Sequence, residues 1–465
     1  MADGVAKVCP KGKLFDTFTK LGPLFSFYSP LWFFWVEFRV DIEKVRGIMY
    51  PLFHSELRDN TRKAKGLASS LVNFRKQPEQ GASSMDKTFY EFFAGGGMAR
   101  AGLGREWTCL FANDFDHKKG VAYRANWGGG ELKTADIRKL KTRDLPGVAD
   151  LSWASFPCQD LSLAGAGAGL RGERSGTFWP FWKLMKGLIA ENRAPSIIVL
   201  ENVCGTLTAH GGKDFIAICT AVQQAGYFFG ALVVDAALFV PQSRPRLFII
   251  CVNADLDVPA RCIATSPVRL WHTRVAEPYC TLPQKVQTSW IWWDPPMPAK
   301  RRIVFSDVIE ENPHDVPMYT GEQVDQLVSK MSDLNRTKLQ KAQRLNRPII
   351  GGLYRRTRID ENGEKVQRAE IRFDDLSGCL RTPAGGSSRQ TVLMVHGNSI
   401  RARLISTRET ARLMGLPESY ILPQNYNEAY HLTGDGVVVP VVRHLAANIF
   451  EPVLQAMETR RTTAA

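Results

Sequence analysis

The tripeptide Pro157-Cys158-Gln159, within SFPCQDLSLAGAGAGLRGERSG at 155–176, puts a thiol where an apolar run, DLSWASF, gives way to a chain of small residues. A thiol becomes a nucleophile when positive or dipolar surroundings stabilise its thiolate, and Arg171 and Arg174 follow on the glycine-rich stretch. A second reactive type closes another apolar run: IIVLENVCG carries Glu201, a carboxyl group able to protonate a heterocycle or stabilise a proton on it. In VPQSRPRLFIICV, Arg244 and Arg246 fall on one face of an extended segment, where guanidinium forks can hold a phosphate or orient a carboxylate. Alone, each is an ordinary residue: a buried cysteine is usually a small hydrophobe. Together at strand ends they could act on one substrate.

A binding function is written upstream. EFFAGGGMARAGLG at 91–104 sets three glycines after a strand, so the backbone can turn tightly and aim amides at a ligand. Counting from Gly95, a dinucleotide fingerprint would need glycine where Arg100 stands, which argues against a nicotinamide cofactor. Asp114 in FANDFD closes the next strand, where an acid can receive both hydroxyls of a ribose, and Asp136 in TADIRKL can accept from an adenine amino group. An adenosine-bearing ligand without pyrophosphate fits this set.

The elements that must position these residues read as α/β. TFYEFFAGGG, TCLFAND, DLSWASF, APSIIVLENV, ALVVDAALF and RLFIICV are short apolar runs of the kind that fill a sheet covered on both faces. In TFWPFWKLMKGLIAEN, Phe178, Phe181, Trp182, Met185, Leu188 and Ile189 repeat at helical spacing, a core face. After about residue 255 the alternation breaks down. WIWWDPPMP is irregular, and Thr320 with Gln323 caps one helix presenting Val324, Leu327, Val328, Met331 and Leu334 on a single face. RTRIDENGEKVQRAEIRF reads as a charged hairpin. Arg336, Lys338, Lys341, Arg344, Arg347, Arg355, Arg356, Arg358 and Arg368 concentrate in this region, an excess that suits a phosphate-contacting face. STRETARLMGLP starts a helix at Ser406 or Thr407, GDGVVVPVVRHLAANIFEPVL a turn and a last helix with Pro440 near its start, and METRRTTAA a frayed tail.

With 465 residues, 44 % of them hydrophobic, the chain can bury a large core, and its formal charge of +14 suits a polyanion. Nine cysteines scattered without a CxxC pair indicate free thiols in a reducing, cytoplasmic setting and no metal site. LGPLFSFYSPLWFFWVEFRV at 21–40 is interrupted by Pro23 and Pro30 and closed by Glu37 and Arg39, so no stable membrane insertion is expected of it.

The ordered set FFAGGGMARAGLG, ADI, FPCQDLSLAG with GERSG, ENV, QSRPR, STRETARLMGLP and GDGVVVPVVRHLAANI resembles the cytosine-C5 DNA methyltransferases across about residues 87–455. The resemblance implies an α/β, Rossmann-like, S-adenosyl-L-methionine-dependent methyltransferase domain with a smaller, mixed target-recognition domain. It implies Cys158 as nucleophile, Glu201 as the ENV glutamate, and Arg244 and Arg246 as the paired arginines, all catalytic. For the cofactor it implies Phe93, Gly95 and Gly97 in the loop, Asp114 at the ribose, Asp136 at the adenine, and Asp435.

The domains are then a 1–84 extension, a catalytic and cofactor-binding domain at 85–260, target recognition at 261–400, a motif region and helix returning to the first domain at 401–455, and a tail at 456–465. Double-stranded DNA is the expected partner. No obligate protein partner is implied, and a cognate restriction endonuclease is compatible but not required. Two departures stand out. Gly434-Asp435-Gly436-Val437 replaces the usual Gly-Asn-Ser-Val, losing an amide donor, and the second-strand acid is aspartate where glutamate is common. RNA cytosine methylation and a noncatalytic DNA-binding relative are the competing readings, the first separated by recognition of the 2′-hydroxyl.

Overall fold

The computed structural model describes residues 87–157, 177–382 and 388–464. The 1–84 extension, Cys158 with the glycine-rich stretch after it, and residues 383–387 lie outside the described residues.

The apolar runs form one seven-stranded sheet: β1 (Lys87–Phe92), β2 (Trp107–Asp114), β3 (Leu132–Thr134), β4 (Leu151–Ala154), β5 (Ile197–Val203), β6 (Tyr227–Asp235) and β7 (Pro245–Asn253). Their order is β3-β2-β1-β4-β5-β7-β6, parallel from β3 through β5 and antiparallel at both β7 ladders. Order reverses between β1 and β4, and open α/β sheets bind ligands at the carboxyl ends beside such a switch point. Because β7 runs against its neighbours, it begins where they end, and Arg246 pairs with Val203 in the ladder.

Helices cover both faces. Helices α1 (Met98–Leu103), α2 (His117–Trp127), α3 (Phe178–Ala190) and α4 (Lys213–Gln224) follow β1, β2, β4 and β5. The helical stripe of α3 buries Phe178, Phe181, Trp182, Met185 and Leu188 against the sheet, and Ile189 packs at its margin. At about 25 cal/mol per Å² of apolar surface, such a face supplies several kcal/mol.

A short two-stranded sheet, β8 (Ile263–Ala264) with β9 (Trp292–Trp293), packs by the β6 edge: Ile291 N donates to Phe229 O at 2.7 Å and Trp293 Nε1 to Ile250 O at 3.1 Å. A second, wholly antiparallel sheet follows. Its strands β10 (Ile349–Ile359), β11 (Lys365–Arg372), β12 (Thr391–His396) and β13 (Ser399–Leu404) take the order β11-β10-β12-β13. The charged hairpin is β10–β11.

Helices α5 (Gly321–Ser329) and α6 (Asp333–Arg344) pack on this sheet through Val324, Leu327, Leu339 and Ala342, with Met331 buried in the break between them. Thr320 and Gln323 form the expected capping box, but the helix is shorter than its apolar spacing implied. It stops at Ser329, and Leu334 falls in the first turn of a second helix with its side chain exposed. Asp333, which the apolar pattern passed over, sits in the first turn of that new helix behind Ser332.

Helices α7 (Thr407–Leu413), α8 (Tyr426–Asp435), α9 (Val439–Leu445) and α10 (Glu451–Ala464) return to the large sheet. Ser406 caps α7 with Glu409 in a capping box, and Pro440 sits in the first turn of α9, where its missing N–H costs nothing. The expected frayed tail is instead helical to Ala464, anchored by buried Val453, Leu454 and Met457. The 426–463 stretch is long and apolar enough to cross a membrane by length and composition, and 61 % of its apolar window is buried in the core. Among the described residues, Cys109, Cys204, Cys219, Cys251, Cys262 and Cys379 are free thiols.

Candidate active site

A cavity of about 500 Å³ opens at the carboxyl ends of β1, β2, β4 and β5 and is closed by the α8–α9 corner. Phe93, Gly95, Asp114, Glu201, Arg244, Arg246 and Asp435 all line it, so residues from five separate stretches of sequence meet there.

On one side lies the glycine loop. Phe93, Gly95 and Gly97 have φ of 57°, 56° and 77°, the left-handed region that costs a non-glycine residue. Gly95 N donates to Asp114 Oδ2 at 2.7 Å, and Asp116 N to Asp114 Oδ1 at 2.8 Å, which locks the loop to the end of β2. Gly97 packs against Trp127, does not line the cavity, and leaves no room for a side chain. Burial raises the pKa of Asp114, and Lys119 opposes the rise. Lys119 Nζ donates to Asp435 Oδ2 at 2.7 Å. Burial works against the Lys119 charge, but Asp435 and Asp114 hold its pKa above the ordinary value. The aspartate in place of an amide thus has a cation of its own.

Asp136 stands apart from the cavity lining. Its carboxylate caps the turn Ile137–Lys139 and takes the guanidinium of Arg138, so its acceptors are engaged locally. Three lining residues escaped sequence reasoning. Phe115, 73 % exposed directly after Asp114, lines the cavity as Phe93 does, and the aromatic next to the strand-end acid in FANDFD was its signal. Glu91, inside β1, is buried, and its Oε2 has no partner; burial pushes its pKa up to about 8. Lys119 had no signal beyond its place one helical turn after Asp116.

On the other side lie the strand ends of β4 and β5. Glu201 is 6 % exposed, and Arg246 Nε lies 3.3 Å from its Oε1. The Asn202 side-chain amide donates to Phe156 O at 3.1 Å, fixing the segment that leads through Pro157, itself a lining residue, to Cys158. Arg244 is 2 % exposed, and its fork is engaged: it donates to the carbonyls of Leu380 at 2.9 Å, Gly434 at 2.8 Å and Gly436 at 2.8 Å. It thereby holds the α8–α9 corner over the cavity. Cys379 Sγ sits 3.3 Å from Arg244 Nη1 and 3.9 Å from Arg246 Nη2. Burial pushes this thiol up, but Arg244, Arg246 and Arg381 more than reverse it, down to about 7.

The cavity suits a nucleoside cofactor. Asp114 offers acceptors, Phe93 and Phe115 offer aromatic faces, Gly95 leaves open space where a side chain would stand, and the unpartnered Glu91 oxygen can meet a donor. Sheet order, glycine loop and strand-end acid together define a Rossmann-like methyltransferase with a second, sheet-rich subdomain.

Residues 87–451 match the family model for C-5 cytosine-specific DNA methylase, and the chain belongs to that family. The Type II methyltransferase M.BsuFI of Bacillus subtilis is 25 % identical over 405 residues, 87 % of this chain and 82 % of that protein. M.HhaI of Haemophilus parahaemolyticus, another Type II methyltransferase, is 24 % identical over 365 residues, 78 % and 93 % of the two chains. The solved structure of the Entamoeba histolytica methyltransferase EhMeth shares the fold at a TM-score of 0.50 and 14 % identity, covering 80 % of this chain and 99 % of that one. The family and fold class read from the ordered motifs are borne out.

Proposed function

We propose that this protein methylates C5 of cytosine in double-stranded DNA, with S-adenosyl-L-methionine as donor, by flipping the base and bonding Cys158 to C6. The observation that carries the reading is the meeting of Glu201, Arg246 and the Pro157 approach to Cys158 on one cavity wall, opposite the Asp114 loop.

Cytosine C5 is a poor nucleophile and lies inside the duplex. Extruding the base costs a few kcal/mol of stacking, which contacts to the backbone must offset. Addition of the Cys158 thiolate to C6 pushes electron density to C5, while Glu201 delivers or holds a proton at N3. Arg246 keeps the Glu201 carboxyl group oriented, and Asn202 sets the backbone from which Cys158 is presented. Asp114, Phe93, Phe115 and Gly95 would hold S-adenosyl-L-methionine, whose sulfonium would supply an electrophilic methyl group to C5 and leave as the neutral thioether S-adenosyl-L-homocysteine. Loss of the C5 proton and cleavage of the C6–S bond then restore the aromatic ring and free the thiol.

The test is incubation of the full chain with methyl-labelled S-adenosyl-L-methionine and either mixed-sequence genomic duplex or RNA, followed by nucleoside analysis. Label in 5-methylcytosine of DNA is the expected result. Label in RNA alone transfers the chemistry to the other polymer, and label in neither overturns the proposal.

A further inference from the structure

We infer that the β10–β11 ribbon is a duplex-docking arm whose Arg356, Arg358 and Arg368 take DNA phosphates, with Glu370 as a built-in competitor that holds two of them until DNA arrives. The inference rests on the DNA reading above and adds to it the surface and the residues.

The ladder sets the geometry. Leu353 pairs with Ile371 and Arg355 with Ala369, and the face carrying Leu353, Ala369 and Ile371 is buried on α5 and α6. The opposite face carries Tyr354, Arg356 and Arg358 on one strand and Glu370, Arg368 and Val366 on the other. Beyond Leu353 the ribbon runs on with every residue from Arg355 to Ile359 exposed, a reach of about 17 Å at about 3.4 Å per residue. A two-stranded ribbon of this kind fits a DNA groove.

Charge on that face does not balance. Arg356 stands directly opposite Arg368, an unfavourable like-charge pair unless an anion comes between them. Glu370 is the acid serving both Arg356, at 3.3 Å, and Arg358, whose Nε donates to it at 2.6 Å. Arg368 makes no ion pair among the described residues. One carboxylate against three guanidiniums leaves room for phosphate.

Position joins this face to the cavity. Tyr354, on the same face, packs its hydroxyl against Gly378, which leaves no room there for a side chain. From Gly378 the chain runs through Cys379, in contact with Arg244 and Arg246, to Thr382 on the cavity wall. Duplex lying along the ribbon is thereby led to the site of base extrusion.

The test measures binding of the full chain to a fluorescent mixed-sequence duplex across a salt series, with uptake of labelled S-adenosyl-L-methionine as a check on folding and label transfer to genomic DNA in parallel. Arg356→Ala with Arg368→Ala should lower the slope of log affinity against log salt by about 2, with cofactor uptake unchanged. Glu370→Gln should tighten binding about two- to fivefold and steepen the slope. Lys183→Ala with Lys186→Ala, on the exposed side of α3, removes the same charge and should leave the slope as it is. An unchanged slope in the ribbon variant, or an equal loss in the Lys183/Lys186 variant, overturns the arm while wild-type label transfer leaves the methylation reading standing. If the wild type neither binds nor labels duplex, both fall.

Discussion

The side-chain amide of Asn202 donates to the carbonyl of Phe156 across 3.1 Å in the protein interior, two residues ahead of Cys158. Its own Oδ1 accepts from Val203 N at 2.8 Å, so one side chain ties the end of β5 to the end of β4. The strand that brings Glu201 therefore also fixes the approach to the thiol.

Asn202→Asp separates these tasks, since it keeps the acceptor toward Val203 and loses the donor toward Phe156. Leaving that buried carbonyl unpaired costs about 1–3 kcal/mol. Single-turnover methylation should slow about tenfold or more, with DNA affinity nearly unchanged. Equal losses in affinity and rate would mean that Asn202 supports binding and not the presentation of Cys158.

Glu91 makes stability depend on pH. Its folded pKa of about 8 lies above the reference value of 4.5, so between these the folded chain holds a proton that the unfolded chain has released. Stability from this group is full at low pH and is lost as pH rises toward 8, by up to about 1.4 kcal/mol per pH unit. Urea denaturation of Glu91→Gln at pH 5 and pH 8 should show the variant gaining on wild type at the higher pH. A constant difference at both values would remove Glu91 from the account.

The Cys379 thiol, held between Arg244 and Arg246 and lowered to about 7, should be alkylated by iodoacetamide at a rate that rises with pH around neutrality. Cys219 and Cys251, buried without a cation beside them and pushed up, should stay unreacted in the folded chain. Peptide mapping on a Cys158→Ala background separates the sites. Reaction of Cys379 no faster than that of Cys251 would contradict the arrangement.

Arg403 on β13 and Glu409 on α7 form a fully buried pair, with bonds of 2.6 and 2.9 Å, linking the second sheet to the returning helices. Glu409→Ala strands the guanidinium and should cost about 3–5 kcal/mol in denaturant titration. Arg403→Met with Glu409→Leu should cost clearly less. A double variant as unstable as the sum of both single changes would show that the pair itself, and not the avoidance of a lone charge, carries the stability.

Much of this was legible in the chain because the signals are local. Short apolar runs fix strands, Thr320 and Ser406 announce helix starts, and the positions of Asp114 and Glu201 follow from where those runs stop, that of Arg246 from where one begins. The missed contacts are long-range. Arg244 finds its carbonyl partners up to 192 residues away, and Lys119 meets Asp435 across 316. No periodicity encodes such meetings. A strand-end aspartate can also cap the turn after it, as Asp136 does beside Arg138, and the strand pattern announces no such local role. Leu334 misled because apolar spacing continues across the break between α5 and α6.

The central claim is that Cys158 bonds to cytosine C6. A duplex carrying 5-fluorocytosine tests it, because fluorine at C5 cannot leave as a proton does and the adduct persists. In the presence of S-adenosyl-L-methionine, mass mapping should find the oligonucleotide attached to the peptide holding Cys158, and Cys158→Ala should form neither adduct nor 5-methylcytosine. Formation of 5-methylcytosine by Cys158→Ala at the wild-type rate would contradict the account.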